Sequence, residues 1–148
     1  MQIKDVMQQN VETVTPDTPL REAARKMKDH GVSLLAVCNG LTIVGLLTSR
    51  DITVRATAQG CDPRRAQVRD VMMSPAICGR EDQNVWEAEH VMRRWRLSGL
   101  PVLDQHECLV GVVSLRDVLG KPRLGKGRSR RPITKRVGRA KRSQPTTT

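Results

Sequence analysis

The sequence predicts an α+β, sandwich-like fold: two β-α-β-β-α units packed with pseudo-twofold symmetry, followed by a disordered basic tail. Three observations predict it: the chain repeats itself, its charge is segregated, and apolar spacing within each repeat alternates between helix-like and strand-like. Lys4-Asp5-Val6-Met7 returns as Arg69-Asp70-Val71-Met72, an offset of 65 residues. At that offset Asp17 meets Asp82, Glu22 meets Glu87, Ala23 meets Ala88, Met27 meets Met92 and Ser33 meets Ser98. One inserted residue near Gln105 shifts the offset to 66, and Thr48-Ser49-Arg50-Asp51 then meets Ser114-Leu115-Arg116-Asp117. The expected divisions are residues 1–61, 62–120 and a tail, 121–148.

Each element has a local reason. Glu12–Thr15 reads as a short strand. Thr15-Pro16-Asp17-Thr18-Pro19 opens a helix, with Asp17 or Thr18 as cap and Pro19 in the first turn. Leu20, Ala23, Ala24 and Met27 recur at helical spacing, and Gly31 ends that helix. Leu34–Cys38 is apolar without alternation, as a buried strand would be. Asn39-Gly40 marks a hairpin, Ile43–Leu47 is the returning strand, and a second helix runs from Thr48 to near Gly60. The second copy gives strand Ala76–Gly79, helix Val85–Trp95, strands Leu100–Leu103 and Leu109–Val113, and a short helix from Ser114. One such unit buries little core, whereas two face to face bury both sheets.

The chain carries 26 Lys and Arg against 15 Asp and Glu, a net charge of +11. Residues 1–120 hold 15 basic and 15 acidic side chains, so the other 11 basic ones all lie in residues 121–148. The basic balance therefore describes the tail alone. Its Gly and Pro breaks and dense like charge predict disorder. Arg128, Arg130, Arg131, Lys135, Arg136, Arg139, Lys141 and Arg142 are the candidate polyanion contacts, giving salt-dependent, nonspecific nucleic-acid affinity; the alternative is a solvated extension. No apolar run reaches the roughly 18–20 residues of a membrane span, and no secretory signal is visible at the N-terminus. Cys38, Cys61, Cys78 and Cys108 are scattered, which fits reduced thiols in a cytoplasmic protein. No metal ligand set stands out beyond the weak grouping His106-Glu107-Cys108. With no Phe or Tyr, residues 1–120 offer no base-stacking platform.

The chemistry concentrates in the repeated tetrapeptide. Thr48-x-x-Asp51 and Ser114-x-x-Asp117 are capping boxes with aspartate in the usual glutamate position. A cap alone requires neither Arg50 nor Arg116. A strand-to-helix junction favours an anion, and a hydroxyl and a guanidinium add donors for a charged oxygen. An aspartate in the first turn can accept from a vicinal diol such as ribose. Hydroxyl, arginine and aspartate thus read as phosphate, phosphate and ribose contacts. Val14-Thr15 and Leu34-Leu35-Ala36 form a slot for a base. Where the first copy has Thr15 the second has Arg80, which either adds a phosphate donor or blocks the base.

Residues 1–120 resemble a tandem pair of cystathionine-β-synthase (CBS) domains, a Bateman module of the small stand-alone bacterial type. The resemblance rests on DVM at each copy's start, TVTPDTPLREAARKM, LSGLPVLD, IVGLLTSRD and LVGVVSLRD. It implies a regulatory module that senses an adenosine-containing ligand (AMP, ADP, ATP, NAD or S-adenosylmethionine) in clefts between the units and signals in trans, commonly as a homodimer. It assigns phosphate and ribose binding to Thr48, Asp51, Ser114 and Asp117. The rival reading is a nucleic-acid accessory protein whose paired units are only a dimerisation scaffold. A redox or metal sensor through Cys38 and Cys61 is a third.

No enzyme is expected and no catalytic cofactor. No Ser-His-Asp, Cys-His or paired-carboxylate spacing is present, and the arginine beside Asp51 and Asp117 favours the ionised carboxylate. Trp95 ends the apolar stripe Val85, Ala88, Val91 and Met92 and is expected in the core or on a dimer face. Trp86, off that stripe, is expected at a subunit interface.

Overall fold

The structure, a computed structural model, describes residues 1–120; the tail arginines and lysines lie outside the described residues. It contains two three-stranded sheets. In the first, β1 (Thr13–Val14) runs parallel to β2 (Leu34–Asn39), which pairs antiparallel with β3 (Thr42–Thr48). In the second, β4 (Gly79–Arg80), β5 (Gly99–Leu103) and β6 (Leu109–Ser114) repeat that order and sense. Helix α1 (Leu20–His30) crosses between β1 and β2; α2 (Ser49–Asp51) follows β3. Segment α3 (Val68–Val71) opens the second copy, α4 (Val85–Trp95) crosses from β4 to β5, and α5 (Leu115–Leu119) follows β6.

Strand β2 shows why its sequence does not alternate. Leu35 and Val37 enter a core with Leu20, Ala23, Met27 and Leu47, beneath α1. Ala36 and Cys38 point the other way, into a larger core shared with Leu100, Val102 and Val113 of the second sheet. The strand is buried on both faces because the sheets face each other. Gly31, at φ +63°, ends α1 in the left-handed conformation, and Gly40, at φ +61°, turns the hairpin.

The leading segments are exchanged. Ile3 N–H donates to Gln83 O at 2.8 Å, and its counterpart Val68 N–H donates to Thr18 O at 2.9 Å. Ile3 (0% exposed) thereby enters the core beside the second sheet, and Val68 (0%) enters the core of the first. Gln8 then exchanges two backbone hydrogen bonds with Val112, and Met73 exchanges two with Leu46, at 2.8–2.9 Å.

Several local expectations are corrected. Neither Asp17 nor Thr18 caps α1: Thr18 Oγ1 accepts from Thr15 N–H at 3.1 Å, and Pro19 occupies the cap position. The first helical N–H groups are met by backbone, Leu20 to Ala66 O at 2.9 Å and Arg21 to Pro63 O at 3.0 Å. The second helix is α-helical only over Ser49–Asp51 and continues as π-helix through Ile52–Thr57. Strand β4 begins at Gly79 rather than Ala76. In the first copy Ala36 N–H donates to Glu12 O at 3.2 Å, but the matching residue Pro101 has no N–H to give. Of the two places expected for Trp95, core or dimer face, the core is corrected, because Trp95 is 43% exposed; Trp86 is partly buried against the larger core.

Candidate functional site

Both tetrapeptides fold as reciprocal caps at the ends of β3 and β6. Thr48 N–H donates to Asp51 Oδ2 at 2.9 Å, and Asp51 N–H donates to Thr48 Oγ1 at 3.1 Å. Ser114 N–H donates to Asp117 Oδ2 at 2.9 Å, and Asp117 N–H donates to Ser114 Oγ at 3.0 Å. Each hydroxyl accepts from its own cap, which leaves its proton to be donated elsewhere, and both Thr48 and Asp51 are buried. Each carboxylate commits Oδ2 to the cap and turns Oδ1 elsewhere. Gln8 Nε2 donates to Asp117 Oδ1 at 3.3 Å, and Arg55 Nε stands 4.0 Å from Asp51 Oδ1. The two sites are thus alike in their caps and different in what covers the carboxylate. Arg50 and Arg116 are exposed, and neither has an ion pair among the described residues.

The caps are joined through two serines. Ser49 N–H donates to Ser33 O at 2.9 Å, and Leu115 N–H donates to Ser98 O at 2.8 Å. The Ser33 and Ser98 hydroxyls meet at 2.9 Å across the pseudo-twofold axis. A continuous path therefore runs from one cap to the other.

Strand register brings other residues to the caps than the sequence suggests. Leu34 pairs with Thr48 and Gly99 pairs with Ser114. Extending the pairing Thr13↔Ala36 by two residues brings Val11 level with Leu34, and extending Gly79↔Val102 by three brings Ala76 level with Gly99. Thr15 and Arg80 lie at the opposite ends of their sheets, level with Cys38 and Leu103. Four residues of strand, about 13 Å at roughly 3.3 Å each, separate these positions from Leu34 and Gly99. The expectation that Thr15 and Arg80 stand beside the caps is corrected accordingly. The first strand is parallel to the second, so its C-terminal end reaches the hairpin and not the cap. Arg80 Nη2 instead meets Glu107 Oε1 at 3.5 Å. Val14 (6% exposed) and Leu35 (0%) are core side chains and do not wall an open slot.

The cysteines divide by burial. Cys38 and Cys78 lie in the larger core, whereas Cys61 is exposed. Among the described residues no three His, Cys, Asp or Glu side chains converge as a metal site. Burial pushes the Cys78 thiol up from 9.0 to about 12, with Cys38 adding to the rise and Arg80 opposing it. The folded chain therefore holds this proton after the unfolded chain has released it. That contribution to stability is complete below pH 9 and declines as pH rises towards about 12. Urea midpoints measured above pH 9 are expected to fall with pH, and Cys78→Ala should flatten that fall. A thiol reagent at neutral pH should modify Cys61 at once and Cys78 only on unfolding.

No helix among the described residues is long and apolar enough to cross a membrane. The sequence matches the family model of the CBS domain twice, over residues 3–56 and 68–123. It is 37% identical over 116 residues to the CBS domain-containing protein YhcV of Bacillus subtilis, covering 78% of this chain and 81% of that one. It is 34% identical over 118 residues to the inosine-5′-monophosphate dehydrogenase of Methanocaldococcus jannaschii, covering 79% of this chain but only 22% of the enzyme. The crystal structure of the CBS domain pair of protein MJ0100, in complex with 5′-methylthioadenosine and S-adenosyl-L-methionine, superposes with a TM-score of 0.72 at 26% identity. That match covers 81% of this chain and 94% of MJ0100's pair. With both copies matched, the caps paired across the axis and the sheets facing each other, this chain belongs to the CBS-domain family and carries its domains as a tandem pair.

Proposed function

We propose that this CBS pair is a regulatory module that binds an adenosine-containing ligand at the two caps and signals to a partner in trans. The observation that carries the reading is that each cap uses only Oδ2 of Asp51 or Asp117, leaving Oδ1 outside it, beside a hydroxyl that accepts from the cap and keeps its own proton to donate. A ribose diol donates to that oxygen, displacing Gln8 at one site and drawing away from Arg55 at the other. The hydroxyl of Thr48 or Ser114 then donates to a phosphate or other polar oxygen, with Arg50 or Arg116 adding charge where the ligand is anionic. Val11, Leu34, Ala76 and Gly99, level with the caps, supply the main-chain edges for the base. The MJ0100 pair, which holds two adenosyl compounds, supports this ligand class.

Ligand at either cap presses on the Ser33–Ser98 contact, so the relative packing of the two units is the quantity that changes. A second reading, polyanion binding by the tail, is favoured by one observation: all of the excess positive charge lies beyond residue 120.

The test is thermal unfolding of the chain against AMP, ADP, ATP, NAD and S-adenosylmethionine, beside the double variant Asp51→Asn, Asp117→Asn. Asparagine keeps an acceptor for the cap and replaces the second carboxylate oxygen by an amide nitrogen, which donates. One ligand at a hundred times its Kd should stabilise the wild type by about 2.7 kcal/mol, a rise of several degrees that the variant loses. A shift retained by the variant, or none with any ligand, refutes the reading.

A further inference from the structure

A concave site lies away from the caps. Pro19, Arg21, Glu22, Arg25 and Arg64 line a groove of about 410 Å³ at the end of the first unit where β1 leads into α1. Thr48 stands at the other end of that sheet. Two backbone hydrogen bonds fix the walls to each other, Leu20 N–H to Ala66 O at 2.9 Å and Arg21 N–H to Pro63 O at 3.0 Å. The turn carrying Arg64 is closed on Asp62, whose carbonyl accepts from Arg65 and Ala66 N–H at 3.0 and 2.8 Å and whose Oδ1 accepts from Arg64 N–H at 2.9 Å. Main-chain hydrogen bonds therefore fix the two segments that carry the lining residues relative to each other.

Its charge is unspent. Among the described residues none of Arg21, Arg25 and Arg64 has an ion pair, and the groove sets three guanidiniums against the single carboxylate of Glu22. The helix end is not the donor, because the amides of Leu20, Arg21, Glu22 and Ala23 already meet Ala66, Pro63 and Pro19 carbonyls. The duplication supplies an internal control. At an offset of 65 residues Glu22 matches Glu87, but Arg21 matches Trp86 and Arg25 matches His90. The same fold accepts a tryptophan and a histidine at those positions, so the two arginines are not a requirement of packing.

We propose that the Arg21–Arg25–Arg64 groove binds a di- or triphosphate anion, independently of the ligand at the caps. Guanidinium groups match phosphate oxygens in paired, planar hydrogen bonds, and three of them lining one groove favour an anion with several negative charges. The volume falls within the range of roughly 300–1,000 Å³ usual for small-molecule sites, which fits a phosphate chain.

NMR of the full-length chain, titrated with inorganic pyrophosphate at fixed ionic strength, tests the proposal residue by residue. Saturable shifts are expected at the amides of residues 19–25 and 62–66. Arg25→Gln with Arg64→Gln should weaken that response by about tenfold or more, leaving shifts in the tail unchanged. Asp51→Asn with Asp117→Asn should leave the groove's response intact, which separates this site from the caps. Shifts confined to the tail or the caps, a groove response that stays linear, or one that the arginine variant retains at full affinity would each overturn the proposal.

Discussion

Ile3→Ala is expected to destabilise the chain by about 2–5 kcal/mol, although it lies two residues from the N-terminal methionine. Chain termini usually tolerate substitution because little packs on them. Here Ile3 is 0% exposed, its backbone is tied to Gln83, and its Cδ1 lies 3.2 Å from where a Cβ on Gly79 would stand. Removing the side chain leaves a cavity beside the second sheet, in a chain whose total stability is of order 5–15 kcal/mol. Met1→Ala is the control: Met1 is 50% exposed, and its replacement should change stability by no more than about 0.5 kcal/mol. Urea denaturation of the three proteins decides the matter. Equal midpoints for wild type and Ile3→Ala would mean that the leading segment does not hold its place in the core.

Gly45→Ala combined with Gly111→Ala is the second large effect. A Cβ at Gly45 would stand 2.7 Å from Met73 O and 3.0 Å from Met72 Sδ. At Gly111 it would stand 2.8 Å from Gln8 O and 2.8 Å from Met7 Sδ. A methionine side chain can swing aside, but a carbonyl engaged in a backbone pair cannot. Met73 O accepts from Leu46 N–H and Gln8 O accepts from Val112 N–H, so the crossing segment must lift off its strand. Overpacking of this kind costs roughly 1–3 kcal/mol per site, and the two sites should add because they do not share partners. Thermal unfolding should show two single variants of similar loss and a double variant near their sum. A double variant as stable as wild type would show that the crossing segments have slack.

Much of this architecture was legible because the chain states it twice. The repeat located all six strands and the helices α1, α4 and α5 to within a few residues, but not the short helical turns at Ile3–Asp5 and Val68–Val71; Thr48-x-x-Asp51 with Ser114-x-x-Asp117 predicted both reciprocal caps. What the sequence did not disclose was direction and partnership. Thr15 and Arg80 stand at the ends of strands, and only the parallel pairing of β1 with β2 and β4 with β5 reveals that these are the ends away from the caps. Ser33 and Ser98 were visible as an identical pair, but their meeting across the axis depends on two units being packed face to face. Local periodicity is likewise silent about Ile3 and Val68, because nothing in IKDVM or VRDVM says which core receives it. The late start of β4 could have been read from Pro101, whose missing N–H removes the rung that Ala36 makes in the first copy.

The exchange of leading segments implies something about ancestry and about fragments. Residues 1–61 expressed alone would lack Val68 and the Met73 pairing that complete their core, while offering Ile3 to a core that is not there. A lone copy of this unit can fill its interior only by trading its N-terminal arm with a second copy. The tandem chain then corresponds to a domain-swapped dimer fused into one polypeptide, with an intermolecular exchange made intramolecular. Severing the peptide between the copies should leave two halves that are each soluble or folded only in the other's presence, so that complementation, rather than independent folding, is the behaviour to expect of them.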